Sequence, residues 1–109
     1  MDYKSKILAA VDYIEDNFSD ADLLENVSAH VGLSAYHFHR VFAGMLGESV
    51  MEYARKRRLS EAAVQLQGST RPIIEIAMDS RFDSQESFTR AFKKMFGITP
   101  GAYRKSRQS

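Results

Sequence analysis

Apolar residues recur three or four positions apart along almost the whole of this chain, which predicts amphipathic helices separated by short turns. The interruptions fall at residues suited to helix ends, since Ser34 and Ser84 can cap a helix start and Gly32, Gly47 and Gly97 can take left-handed backbone. The pattern predicts about seven helices, with approximate bounds 3–17, 23–31, 35–46, 49–67, 72–80, 85–96 and 99–104. No stretch alternates apolar and polar residues as a strand does, so the predicted fold class is all-α.

The same spacing predicts which side of each helix enters the core. In the first helix the apolar stripe consists of Ile7, Leu8, Val11, Ile14 and Phe18. Steps of about 100° per residue give the core side of the third helix as Phe38, Val41, Phe42 and Met45, and that of the sixth as Phe88, Ala91, Phe92 and Met95. Asp22 and Glu25 have the spacing of a capping box and are predicted to open the second helix.

The chain also repeats itself at a distance of 50 residues. The matching pairs are Ser34/Ser84, Phe38/Phe88, Arg40/Arg90, Phe42/Phe92, Met45/Met95, Gly47/Gly97 and Tyr53/Tyr103. Each copy contains two predicted helices joined by about three residues, which are the dimensions of a helix-turn-helix. We therefore predict a first lobe over about 3–47, a linking helix over about 49–67 and a second lobe over about 70–106.

Charge is unevenly distributed although the formal net charge is only +1. Residues 1–50 carry 3 Lys/Arg and 8 Asp/Glu, whereas residues 51–109 carry 12 and 6. This asymmetry favours a polyanion as the partner of one face, with a mixed, solvated surface as the alternative. The chain has no cysteine and no apolar run near 18 residues, so we expect a soluble, cytoplasmic protein without disulfides or a membrane span.

The side of the third and sixth helices opposite the core carries residue types that read bases. On the third helix these are Tyr36, His39 and Arg40; on the sixth they are Gln85, Glu86, Thr89 and Arg90. Arginine can bond guanine bidentately, glutamine can pair with adenine, glutamate can accept from cytosine, and threonine or an aromatic ring can contact a thymine methyl. The linking helix, at about 28 Å, is of the same order as the ~34 Å between successive major grooves. These features predict that the third and sixth helices are two recognition helices that bind double-stranded DNA.

Basic residues elsewhere are candidates for phosphate contacts. Within the run 55–58 of the linking helix we assign Arg55, Lys56 and Arg57 to phosphates and Arg58 to a structural role, and we expect at least one of the run to pair with the acidic helices. Lys93, Lys94 and Lys105 are further candidates, with ordinary solvated lysines as the alternative.

Metal binding and catalysis are not indicated. His37 and His39 are two apart on one helix, whereas a helical metal pair needs a spacing of four, and His30 lies on another helix. The sequence has no glycine-rich phosphate loop and no nucleophile–base pair. We expect neither a metal site nor a cofactor, and no enzyme activity.

The segment 82–104, reading FDSQESFTRAFKKMFGITPGAYR, carries a specific resemblance. Together with 32–42 and 53–62, it is similar to the DNA-binding domain of the AraC/XylS family of bacterial transcription regulators, nearest the SoxS/MarA/Rob branch, over about 5–105. The resemblance implies two homeodomain-like helix-turn-helix lobes joined by a long helix, binding as a monomer to an asymmetric promoter site and recruiting RNA polymerase. It also implies base contacts at the seven positions named above.

Four residues depart from the family pattern. The branch usually has tryptophan, glutamine and glutamine where this chain has Tyr36, His39 and Glu86, so the resemblance does not define the target sequence. Arg81 stands where the family usually has a turn glycine, and a left-handed backbone there would cost roughly 1–2 kcal/mol.

The combined reading is sequence-specific binding of double-stranded DNA by a bacterial transcription regulator, with activation as the expected outcome. Two alternatives remain open. The chain could be the DNA-binding part of a longer Rob-like regulator whose ligand domain is absent here. It could also be a helical protein-interaction module that has lost DNA binding.

Overall fold

The computed structural model describes residues 2–106, which form seven α-helices and no strand, as predicted. The helices are α1 (Tyr3–Asn17), α2 (Leu23–His30), α3 (Ala35–Leu46), α4 (Val50–Gly68), α5 (Ile73–Asp79), α6 (Gln85–Phe96) and α7 (Pro100–Ser106). The chain divides between Arg57 and Arg58 into two compact units. The division lies inside α4, so the predicted linking helix contributes its first half to unit 1 and its second half to unit 2.

Unit 1 packs α1, α2 and α3 with the start of α4 around an aromatic centre. Phe38 and Phe42 are fully buried, with ring centroids 5.6 Å apart, and the Tyr53 ring meets Phe42 edge-on at 5.9 Å. The buried aliphatic residues around them are Ile7, Ala10, Ile14, Leu23, Val27, Val31, Val50 and Ala54. Each of the four helices therefore contributes an apolar face to one core.

Unit 2 builds the equivalent centre from the repeated residues. Phe88 and Phe92 are fully buried with centroids 5.7 Å apart, and the Tyr103 ring meets Phe92 at 5.4 Å. The surrounding buried residues are Leu59, Ala62, Ala63, Leu66, Ile76, Ala77 and Ala91. The inference that the sequence repeat copies a helical core is confirmed by this matched ring geometry.

The turn before α3 and the turn before α6 share one backbone conformation. Gly32 has a φ of 76° and Arg81 has a φ of 65°, both in the left-handed region. In each turn the next amide reaches back to close the preceding helix, from Leu33 N to Ser28 O at 3.0 Å and from Phe82 N to Ala77 O at 3.1 Å, as in a Schellman motif. The left-handed arginine carries the cost of roughly 1–2 kcal/mol that its sequence position implied.

Both α3 and α6 begin and end as predicted. The Ser34 hydroxyl accepts from the His37 amide and the Ser84 hydroxyl accepts from the Ser87 amide, each at 3.1 Å. Gly47 and Gly97 end the two helices in left-handed backbone. The start and end of each helix are therefore set by its own residues.

The predicted capping box at the start of α2 is wrong. Asp22 has a φ of −108° and a ψ of 32°, and its side chain makes no capping hydrogen bond. An N-cap carboxylate normally needs extended backbone to reach the first-turn amides. Asp20 organises this turn instead, because its carboxylate accepts from the Asp22 amide at 2.9 Å and from the Asn26 side-chain amide at 2.7 Å.

Three residues predicted to lie in the core are exposed. Met45 and Met95, in the last turns of α3 and α6, are 48% and 40% exposed. Leu8 is 59% exposed, whereas Ala10, which the apolar stripe omitted, is fully buried. Leu8 lies about 100° around α1 from Ile7, outside the arc that faces the core.

Candidate nucleic-acid interface

The outer face of α3 presents the three residues predicted for it. Tyr36 is 71% exposed, and His39 and Arg40 are exposed as well. Arg40 Nη1 donates to the Tyr36 hydroxyl at 3.1 Å, and its guanidinium carbon lies 5.8 Å from the Tyr36 ring centroid. One turn of helix separates the two residues, so their spacing brings them together. Tyr36 thus limits the orientations of the Arg40 guanidinium before any ligand is present.

A contact between α1 and α3 was not foreseen from the sequence. The Tyr3 hydroxyl lies 3.0 Å from His37 Nε2, and the two rings meet edge-on with centroids 5.4 Å apart. The residues are 34 positions apart in the chain, and no spacing pattern links them. This contact ties the first turn of α1 to the first turn of α3, beside Tyr36.

The outer face of α6 brings together all four residues predicted for it. Gln85, Glu86, Thr89 and Arg90 line one open depression on the surface of unit 2. Gln85, Glu86 and Arg90 are exposed, while Thr89 is half-buried. Among residues 2–106, the Arg90 guanidinium has no hydrogen-bond or ion-pair partner, so its donors are available to a ligand.

The basic run of α4 divides between surface pairs and internal contacts. Lys56 Nζ lies 2.8 Å from Glu48 Oε1, and this hydrogen bond raises the pKa of Lys56 above its ordinary value. Arg55 Nη1 lies 3.7 Å from Glu52 Oε1. Arg58 Nε donates to the Ser80 carbonyl at 3.0 Å, so the predicted structural role of Arg58 is confirmed.

Arg57 is half-buried and makes its contacts within unit 1. Its Nε donates to both carboxylate oxygens of Glu15 at 2.9 Å, and its guanidinium lies 5.2 Å from the Phe18 ring centroid. Tyr53 donates to the same carboxylate at 3.0 Å, and burial followed by this hydrogen bond raises the pKa of Tyr53. Arg57 is therefore the member of the run that pairs with an acidic helix, and this geometry argues against its assignment to a phosphate.

The three lysines predicted to contact phosphates are all exposed. Lys93 and Lys94 lie in the last turn of α6, and Lys105 lies near the end of α7. A cation in the last turn of a helix also interacts favourably with the helix dipole, so part of their role can be local.

Two tandem helix-turn-helix units, each with an exposed polar face that carries an arginine, define a class of DNA-binding proteins. A family model described as a helix-turn-helix domain matches residues 27–106. The Right origin-binding protein of Escherichia coli (strain K12) is 43% identical over 106 residues, which are 97% of this chain and 37% of that protein. The HTH-type transcriptional activator AarP of Providencia stuartii is 38% identical over 105 residues, covering 95% of this chain and 78% of AarP.

A solved structure agrees with these relatives. The crystal structure of a transcriptional regulator of the AraC-type DNA-binding-domain proteins from Chromobacterium violaceum matches with a TM-score of 0.86 at 27% identity, covering 98% of this chain and 96% of that one. The chain belongs to the AraC-type helix-turn-helix family of transcription regulators. It spans 37% of the length of the Right origin-binding protein that it matches.

The part of the chain that the structure describes contains neither a candidate membrane span nor a cluster of metal ligands. None of the helices within residues 2–106 combines the length with the apolar composition that a membrane span requires. Between residues 2 and 106, no group of three or more histidine or acidic residues is placed to hold a metal ion.

Proposed function

We propose that this protein binds double-stranded promoter DNA sequence-specifically, with α3 and α6 as recognition helices in successive major grooves. The observation that carries the proposal is the outer face of α6, where four side chains able to read bases share one depression. Arg90 is the main reader, because its guanidinium can bond bidentately to a guanine. Gln85, Glu86 and Thr89 supply the chemistry for neighbouring bases.

In unit 1 the proposed readers are Tyr36, His39 and Arg40. Arg40 occupies the position equivalent to Arg90. Its hydrogen bond to Tyr36 orients the guanidinium in advance, which lowers the entropy lost on binding. We infer that both half-sites contain a guanine for these arginines.

The proposed phosphate contacts are Arg55, Lys56, Lys93, Lys94 and Lys105. Arg57 is left out because its donors are directed to Glu15. Such contacts position the protein on DNA and add affinity without reading sequence.

The regulatory outcome that we propose is activation, by a monomer that recruits RNA polymerase in the bacterial cytoplasm. AarP, of which this chain spans 78%, is named a transcriptional activator. Two recognition helices in one chain supply what other helix-turn-helix proteins obtain by dimerising. The proposal includes no catalytic step, metal or cofactor.

Selection of bound sequences from a random duplex pool, followed by affinity measurements on the selected site, tests the proposal. Arg90→Ala should cost about 1–3 kcal/mol on that site and relax the preference at one base pair. Lys93→Ala is the matched control on the same helix. It should weaken binding to all duplexes alike and reduce the slope of log K against log salt by about 0.9.

Two results would contradict the assignment. If Arg90→Ala weakened every duplex equally, Arg90 would be a phosphate contact and not a base reader. If the wild-type protein enriched no sequence and bound no duplex, the alternative of a protein-interaction module would replace DNA binding altogether.

A further inference from the structure

The turn before each recognition helix has the same backbone but a different residue at its left-handed position. That position is Gly32 before α3 and Arg81 before α6. The amide of each donates to the third residue before it, Ala29 at 3.1 Å and Met78 at 3.0 Å. Since glycine, which has no side chain, forms this turn in unit 1, the side chain of Arg81 is not needed to form the same turn in unit 2.

Arg81 strains the backbone that it occupies. Left-handed conformations bring the Cβ of a non-glycine residue too close to the following carbonyl oxygen, and glycine avoids this contact. Strained residues of this kind persist where the surrounding structure fixes them, and they cluster at functional sites. The left-handed position of Arg81 is therefore consistent with a function for its side chain.

The Arg81 side chain is exposed, and within residues 2–106 its guanidinium has no hydrogen-bond or ion-pair partner. It precedes Gln85, the first base-reading candidate of α6, by four positions in the sequence. Asp83 is exposed in the same turn, so without Arg81 the turn would present only a negative charge next to the DNA-reading face.

Unit 1 supplies a positive charge to the equivalent turn from another part of the chain. The ammonium of Lys6, on α1, lies 3.6 Å from the point that a Cβ on Gly32 would occupy. It also donates to the Val31 carbonyl in that turn. A cation thus lies at the same turn in both units, although the residues that provide it are not equivalent in the repeat.

We propose that Arg81 binds a phosphate of the DNA backbone beside the bases read by α6. The guanidinium presents paired donors that match two phosphate oxygens. The proposal rests on the proposed DNA binding and adds a contact that the basic runs of the sequence did not indicate.

Three variants of Arg81 separate the effect of its charge on DNA binding from the effect of its left-handed backbone on stability. Arg81→Gln removes the charge and keeps a non-glycine residue in the left-handed turn, while Arg81→Lys keeps both the charge and the strain. Arg81→Gly removes the charge and relieves the strain. Affinity for the selected duplex is measured for each variant over a range of salt concentrations, and thermal unfolding is followed by circular dichroism.

Loss of one phosphate contact reduces the slope of log K against log salt by about 0.9, which corresponds to a loss of about eightfold in affinity at 0.1 M salt. We expect this loss in both Arg81→Gln and Arg81→Gly, and a wild-type slope in Arg81→Lys. Arg81→Gly should also unfold at a higher temperature than Arg81→Gln. Weaker binding by a more stable protein would separate the DNA contact from the fold.

The competing explanation is local, since a cation at the end of α5 also interacts favourably with that helix dipole. If Arg81→Gln lowered the unfolding temperature but kept the wild-type salt slope, the phosphate contact would be excluded. That result would leave the proposed function intact, because wild-type binding to the duplex is measured in the same series. Failure of the wild-type protein to bind would instead remove both.

Discussion

Replacing Arg57 by alanine distinguishes a structural arginine from a DNA contact within one basic run. The side chain makes a bidentate pair with Glu15, whose carboxylate also accepts from Tyr53, and it lies against the Phe18 ring. We therefore expect Arg57→Ala to destabilise unit 1 and to leave the salt dependence of DNA binding unchanged.

The expected loss follows from the exposure of the pair. The Arg57 and Glu15 side chains are 35% and 37% exposed, so solvent screens part of their attraction. Fully exposed pairs contribute about 0.2–1 kcal/mol, and the bidentate geometry places this one near the upper end of that range. The contact with Phe18 adds about 0.5–1 kcal/mol. Together these terms predict a loss of about 1.5–2 kcal/mol in the free energy of unfolding.

Urea denaturation followed by circular dichroism measures that loss, and a double-mutant cycle with Glu15→Gln isolates the pair. Glutamine keeps an acceptor for Tyr53 while removing the charge, so the coupling energy should be about 1 kcal/mol. Lys56→Ala is the neighbouring control. It should change the free energy of unfolding less than Arg57→Ala does, because the Lys56 side chain is 55% exposed and solvent screens its pair with Glu48, and it should reduce the salt slope by about 0.9.

The reverse pattern would contradict a structural role for Arg57. An Arg57→Ala protein of wild-type stability, with a salt slope reduced by about 0.9, would mean that Arg57 leaves Glu15 to bind a phosphate. The sequence-based assignment of Arg57 would then be correct, and the pair in the free protein would be a resting position of the side chain.

Two further predictions concern α6 and α4. Ser84→Ala removes the hydroxyl that accepts from the Ser87 amide, and it should cost about 1 kcal/mol of stability by urea denaturation, with Ser60→Ala, inside α4, as a control that costs less. A loss no larger than that of the control would show that the cap is dispensable. One alanine inserted between Arg57 and Arg58 leaves the residues of both cores in their own helical register and advances every later residue of α4 by one helical step, roughly 100°. The DNase footprint of about 20 base pairs should then shrink toward one half-site, whereas an unchanged footprint and affinity would show that the units are flexibly coupled.

The fold was predictable because the signals that form helices are local in the sequence and because the chain contains two copies of the same helical unit. Apolar spacing, serine caps and left-handed glycines each act within a few residues, and their agreement located all seven helices. The repeat supported the prediction independently, because a residue that occurs in both copies is expected to have the same structural role in both units. Phe38 and Phe88 show this, since both are fully buried at the same point of their units.

The errors arose where the outcome depends on residues distant in the sequence. Apolar spacing gives the side of a helix on which Met45 and Met95 lie, but not how far the packed elements extend along that helix. Both methionines fall in the last turn and are largely exposed. Arg57 and Glu15 are 42 positions apart, so the sequence could indicate that some arginine pairs with an acidic helix without identifying which one.

The two copies are most informative where they differ. The buried aromatic residues and the helix-end residues are repeated because both units pack their helices around the same kind of aromatic core. The outer faces share one arginine, Arg40 in the first copy and Arg90 in the second. They differ at two other equivalent positions, where Tyr36 corresponds to Glu86 and His39 corresponds to Thr89. Since these residue types contact different bases, the two half-sites of a DNA target should share the base bound by arginine and differ around it. A single chain with unequal faces therefore suits an asymmetric site, for which a symmetric dimer of identical faces would be poorly matched.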